Sequence, residues 1–157
     1  MHAYFLTVCV FPRRPAFTSE DRANEIVGEL LRTAFDYAFA VIAYCVMPDH
    51  AHALVEGLTD DSDFRKFVAM FRQRSGFRFR QRTGESLWQD GYYERVLRAD
   101  EAILPIAAYT MANPVRAGLC DRIDQYRFAG SDRYAVEELL EAIQMAARPQ
   151  KGSRYAD

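Results

Sequence analysis

Three observations predict an α+β fold, an antiparallel sheet with helices packed on one face. Short runs rich in aromatic and β-branched residues alternate with stretches of helical period. They follow the order strand, helix, strand, strand, helix, strand, helix, with one further helix at the end. Between the two central strand runs Pro48-Asp49 makes a tight turn, which marks a hairpin. This order is the ferredoxin-like (RRM-like) plan, which hosts many chemistries and by itself names none.

Each element has its own justification. Ala3 to Phe11 (AYFLTVCVF) is aromatic and β-branched and meets Pro12 and Pro15, so it reads as a buried strand. Thr18 or Ser19 can cap a helix from Glu20 to about Thr33, with Ile26, Leu30 and Leu31 on its apolar face. Phe39 to Val46 and His50 to Glu56 form the predicted hairpin. Phe64 to Arg82 keeps Phe64, Phe67, Val68 and Phe71 at helical spacing, and Gly76 weakens this helix without ending it. Trp88 to Leu97 (WQDGYYERVL) reads as a fourth strand. Asp100 is placed to cap a helix that carries Ile103, Ile106, Ala107 and Tyr109 and stops near Asn113-Pro114. Tyr134 to Ala147 is amphipathic. One domain over 1–147 and a loose tail at 148–157 are expected.

Composition narrows the class. A length of 157 residues, 50% hydrophobic and 27% charged, is that of an ordinary soluble globular domain. The longest apolar run, Tyr37 to Met47, is too short to span a bilayer, and no signal peptide is visible near the start. Cys9, Cys45 and Cys120 are far apart and never paired as CxxC, so reduced thiols in a cytoplasmic protein are expected. A net charge of -2 does not advertise a nucleic-acid binder, but an average says nothing of faces. Between Phe64 and Arg82 lie Arg65, Lys66, Arg72, Arg74, Arg78, Arg80 and Arg82 with no acidic residue. A solvated helix face would mix both signs. That concentration, interleaved with Phe77 and Phe79, suits phosphate contact and base stacking.

Two of the three histidines lie in MPDHAHALV. On a strand His50 and His52 project from one face, and two imidazoles side by side can chelate a divalent cation. An isolated HxH is more often a hydrogen-bonded structural pair, and two histidines need further ligands. Tyr109 and Asn113 are four apart on the predicted helix and so share a face. The asparagine carbonyl suits Mg²⁺ or Mn²⁺, and tyrosine is a covalent nucleophile once its target is polarised. Alone, a helical Tyr packs in a core and an Asn before Pro ends a helix; the two pairs together carry the functional reading. Arg116, near the tyrosine, could stabilise phosphate charge.

The stretches AYCVMPDHAHALVEG (43–57), LWQDGYYERVLR (87–98) and AYTMANPVRAGLC (108–120) resemble the single-tyrosine HUH transposases, and within them the REP-associated tyrosine transposases. HxH after MP[ND], then WQxx[FY]Yxxx[IVL][LR], then YxxxNPVRAGL, in that order, is a specific match across most of 1–130. The resemblance implies a DNA nicking-and-joining enzyme, with His50 and His52 as metal ligands, Asn113 in the third ligand place and Tyr109 as nucleophile. It implies Mg²⁺ or Mn²⁺, a 5′-phosphotyrosine intermediate, and substrates that are single-stranded, hairpin-forming palindromes with a short guide tetranucleotide. It also implies a cytoplasmic, nucleoid-associated protein without membrane contact, as monomer or homodimer. Asp49 stands where many relatives have Asn, and YRFAGSDRY (126–134) where relatives often have a WPWSS-like run; neither departure touches the implied ligands.

Three rival readings stand beside this one. A histidine-triad nucleotide hydrolase needs a third histidine where this chain has Leu54. Tyr92 and Tyr93 are alternative nucleophiles, but only one can face the histidines from a strand, and neither has a helical Asn partner. A catalytically silent, domesticated domain that binds structured nucleic acid is the non-enzymatic alternative.

Overall fold

The computed structural model describes residues 2–147; the tail expected at 148–157 lies outside the described residues. The sheet contains β1 (Ala3–Cys9), β2 (Phe39–Met47), β3 (His50–Gly57), β4 (Tyr93–Val96) and β5 (Ala129–Gly130). Their order is β4-β1-β3-β2-β5 and every pairing is antiparallel. The first four strands make the ferredoxin-like arrangement. β5 extends it at the β2 edge, and a strand of two residues carries no period that a sequence could reveal.

The expected helical layer is made by α1 (Glu20–Asp36) and α2 (Phe64–Thr83) on one face. Ser19 caps α1 by accepting from the Arg22 amide, and Asp63 caps α2 by accepting from the Lys66 amide. Gly84 ends α2 at φ 74°, a left-handed position that glycine adopts without steric cost. Leu30, Phe67 and Phe71, at most 1% exposed, pack on Leu6, Val8, Ala51, Ala53 and Val55. Burying each large side chain contributes on the order of 2 kcal/mol. The small Ala51 and Ala53 let this layer approach the strand behind the histidines.

A second helical layer covers the opposite face. It holds α3 (Ile103–Met111), the short α4 (Asn113–Arg116) and α5 (Val136–Ala147). Ala107, Ala108 and Met111 of α3, with Leu139 of α5, bury Ile42, Ala43 and Leu54. A β-bulge between Val41 and Ala43 turns both Ile42 and Ala43 toward this layer. The one-sided packing expected from the sequence is therefore corrected to helices on both faces. The apolar content of α3 on its own could not say which face it covers.

Two local expectations also change. The fourth strand is shorter than Trp88–Leu97: Trp88 only bridges Val10, and its indole turns to donate to Ser75 Oγ at 2.9 Å. Asp100 does not cap α3. Ala102 holds that place with no side-chain bond, while Glu101 accepts from the Arg98 amide at 2.6 Å and pairs with Arg95. Pro105 sits in the first turn of α3, where a missing N–H leaves no helical bond unmade.

Candidate active site

The register across the sheet defines the site. Cys9 and Met47 lie beside His50 on the neighbouring strands, and Thr7 and Cys45 lie beside His52. Directly opposed residues share a face, so all six side chains are on the α3–α4 side. The two imidazoles face one another with ring centroids 4.7 Å apart at 80°. Phe5 stacks on His52 at 5.5 Å. Cys45 is buried, Cys9 and Cys120 are partly exposed, and all three are free thiols.

Each ring is held through Nδ1. For His52 the partner is Thr7 Oγ1 at 2.8 Å, and for His50 it is Asp49 Oδ1 at 2.6 Å. Asp49 Oδ2 accepts from Arg13 Nε at 2.8 Å. Burial alone would raise the Asp49 carboxyl, but hydrogen bonds from Arg13 and His50 outweigh it and hold it below the usual range. Burial pushes His52 down to about 4, helped by the neighbouring His50 ring and by the positive charges of Arg116 and Arg13. His52 is therefore neutral at pH 7, the state a metal ligand requires. Among the described residues no cluster of three or more His, Cys, Asp or Glu could hold a metal, so any third protein donor beside the histidines would have to be of another type.

Asn113 offers an amide oxygen. Proline at 114 has no N–H to give to the Thr110 carbonyl, the acceptor one helical turn back. The Asn113 Nδ2 donates there instead at 3.0 Å. This bond fixes the amide and leaves Oδ1 without a hydrogen bond from the described residues. The expected helix end at Asn113-Pro114 is thus a corner, α3 ending at Met111 and α4 starting with Asn113. Tyr109 is 60% exposed on α3, and the Arg116 guanidinium of α4 lies 3.6 Å from its ring centroid. The Arg116 charge also acts on His52 and Cys45, which ties the corner electrostatically to the histidine strand. Among the described residues Arg116 has no carboxylate partner. Tyr93, not Tyr92, faces the histidine side, opposite Thr7, and is 59% exposed. Tyr92 packs instead by Phe64 and under Arg72.

The other basic residues lie elsewhere. α2 is on the face away from the histidines, and much of its charge is spent on α1. Arg74 pairs with Asp36 at 2.7 Å, Arg78 with Glu29 at 4.0 Å, and Arg82 with Glu25. Lys66 pairs with its own helix cap, Asp63, and Arg72 donates to the Gln89 carbonyl. Arg65 and Arg80 are exposed without a carboxylate partner among the described residues. Thr7 and Arg13 escaped the sequence reading altogether. The only signal for Thr7 was a polar residue inside an apolar strand, and the only signal for Arg13 was a basic pair, Arg13-Arg14, just past that strand's end. In YRFAGSDRY, Tyr126 donates to the Val46 carbonyl at 2.6 Å and Ala129-Gly130 form β5, so this run closes the sheet edge.

Comparison with known proteins gives concordant results. The family model described as "Transposase IS200 like" matches residues 1–110. A Haemophilus influenzae (strain Rd) protein, provisionally named a REP-associated tyrosine transposase, is 24% identical over 147 residues, covering 87% of this chain and 83% of the relative. A REP-associated tyrosine transposase solved bound to a REP hairpin superposes with a TM-score of 0.70 at 20% identity, over 86% of this chain and 83% of that one. A crystal structure of a protein provisionally named a transposase, from Deinococcus radiodurans R1, gives 0.54 at 20% identity, over 80% and 91%.

Proposed function

The chain belongs to the IS200-like transposase family, and from that premise we propose that it is a metal-dependent strand transferase acting on hairpin-forming single-stranded DNA through a tyrosine linkage. The observation that carries this reading is the grouping, on one face of the sheet, of two imidazoles held at Nδ1 with a helix corner bearing Tyr109, Asn113 and Arg116. The hairpin substrate is extended to this chain from the hairpin-bound structure it resembles.

The donors fit a divalent cation. His50 and His52 would offer Nε2, and Asn113 its Oδ1, with water completing the shell. Two nitrogens and one amide oxygen suit Mn²⁺ better than the oxygen-seeking Mg²⁺. When bound, such an ion supplies Lewis-acid polarisation of the scissile phosphate. Tyr109 Oη attacks the phosphorus, the P–O3′ bond breaks, and the phenol proton is passed on so that the strand leaves as a 3′-OH. The 5′ side stays on the tyrosine, and attack by a 3′-OH reverses the link. Arg116, stacked on the phenol ring, offers a fixed cation to the charge that builds on the phosphate.

The test is incubation of hairpin-bearing single-stranded DNA with the protein and Mn²⁺, followed by denaturing electrophoresis. An SDS-resistant adduct should form with wild type and with Tyr93→Phe and vanish with Tyr109→Phe. An adduct that survives Tyr109→Phe and is lost in Tyr93→Phe would transfer the nucleophile to β4. Hairpin binding with no adduct from any variant would favour a silent DNA-binding domain.

A further inference from the structure

We propose that Asp49 and Arg13 form a positioning pair that fixes His50 with its proton on Nδ1 and its Nε2 lone pair free for the cation. This rests on the metal reading above and adds two residues to it. A carboxylate only accepts, so the 2.6 Å contact from Asp49 Oδ1 to His50 Nδ1 places the proton on that nitrogen. Arg13 Nη2 lies 3.4 Å from the same nitrogen, but a guanidinium only donates and would need a lone pair there. The two contacts exclude one another as hydrogen bonds, and the shorter one prevails.

Arg13 acts on Asp49 instead. Its Nε donates to Oδ2 at 2.8 Å, so both carboxylate oxygens are engaged, one by Arg13 and one by His50. The turn that carries Asp49 is itself pinned: the Val10 amide donates to the Asp49 carbonyl and the Phe17 amide to the Pro48 carbonyl, both at 3.0 Å. Arg13 therefore works from the chain just beyond β1, across the hairpin turn, onto the first histidine. His52 has no equivalent device, because the Thr7 hydroxyl can either donate or accept and leaves the tautomer open. The pair of ligands is thus asymmetric, with His50 locked and His52 adaptable. Partners of this kind orient metal-bound histidines and strengthen them as ligands.

The experiment has two readouts that need no activity. Nitrogen-15 NMR of the imidazoles in metal-free protein at pH 8 reports the His50 tautomer. Electron paramagnetic resonance of free Mn²⁺ reports affinity. Wild type should show the Nδ1–H form at His50. Asp49→Ala should give a tautomer mixture and weaken Mn²⁺ about tenfold. Asp49→Asn, which keeps the shape if the alanine variant fails to fold, should fall between them, since an amide can present either end. Arg13→Gln should weaken Mn²⁺ less than Asp49→Ala does. If His50→Ala binds Mn²⁺ as tightly as wild type, the metal reading fails and this proposal with it. If His50→Ala loses Mn²⁺ while both Asp49 variants keep wild-type affinity and tautomer, the positioning role is overturned and the metal reading stands.

Discussion

His52 carries a consequence for stability that is separate from catalysis. Burial, with the nearby His50 ring and the charges of Arg116 and Arg13, lowers it from 6.5 to about 4 in the folded chain. Between those values the unfolded chain binds a proton that the folded chain refuses, so stability falls as the pH drops. Above 6.5 both states are neutral at this site and the contribution vanishes. At pH 5 the penalty is about 2 kcal/mol relative to pH 8. Urea unfolding of metal-free protein at both pH values, for wild type and His52→Gln, isolates it: wild type should lose about 2 kcal/mol more than the variant. Equal losses would mean that His52 is not desolvated as described. That the two histidines share a face was legible from their spacing of two. That Thr7 meets His52 was not, because the bond spans 45 positions of chain and depends on the β1–β3 register.

Among the elements, those with strong local punctuation agree closely between sequence and structure. Ser19 and Pro48-Asp49 mark α1 and the hairpin where they occur. The elements that depart are those decided by distant partners. β4 keeps only Tyr93–Val96 because Trp88 is drawn to Ser75 on α2. β5 exists because Tyr126 and Phe128 tether the chain to Val46. Gly130 has Tyr44 so close that a Cβ would meet its hydroxyl at 2.6 Å, a fit visible only in three dimensions. The exit from α1 offers a direct test. Ala38 holds φ 57°, left-handed space in which a Cβ is penalised. Its carbonyl accepts from the Leu58 amide and Ser62 Oγ, which hold it there. Ala38→Gly should therefore stabilise the fold by about 0.5–1 kcal/mol, the reverse of glycine's usual effect. A lower urea midpoint for this variant would show that the left-handed geometry is not what the chain adopts at that turn.

At the scale of the molecule, the sheet separates two faces with different work. One face carries α1 and α2 and a core of aromatics; the other carries the histidines and the α3–α4 corner. The basic run of α2 invited a DNA-binding reading, yet it answers an acidic helix. Arg82, Arg78 and Arg74 step back by four as Glu25, Glu29 and Asp36 step forward, the pattern of antiparallel neighbours. That complementarity was present in the sequence, but it shows as ion pairing only once α1 and α2 are known to lie side by side. Exposed pairs of this kind contribute about 0.2–1 kcal/mol each, with a larger effect where Glu29 is buried. The triple change Arg74→Gln, Arg78→Gln, Arg82→Gln should thus lower stability by a few kcal/mol at most, roughly the sum of those terms. It should leave hairpin-DNA affinity within about twofold of wild type, with the salt dependence unchanged. Arg116→Gln, at the site itself, should instead lower the slope of log affinity against log salt by about one. The opposite result, a large loss of slope in the triple variant and none in Arg116→Gln, would mean that DNA runs along the α1–α2 face and reaches Tyr109 only by wrapping around the sheet edge.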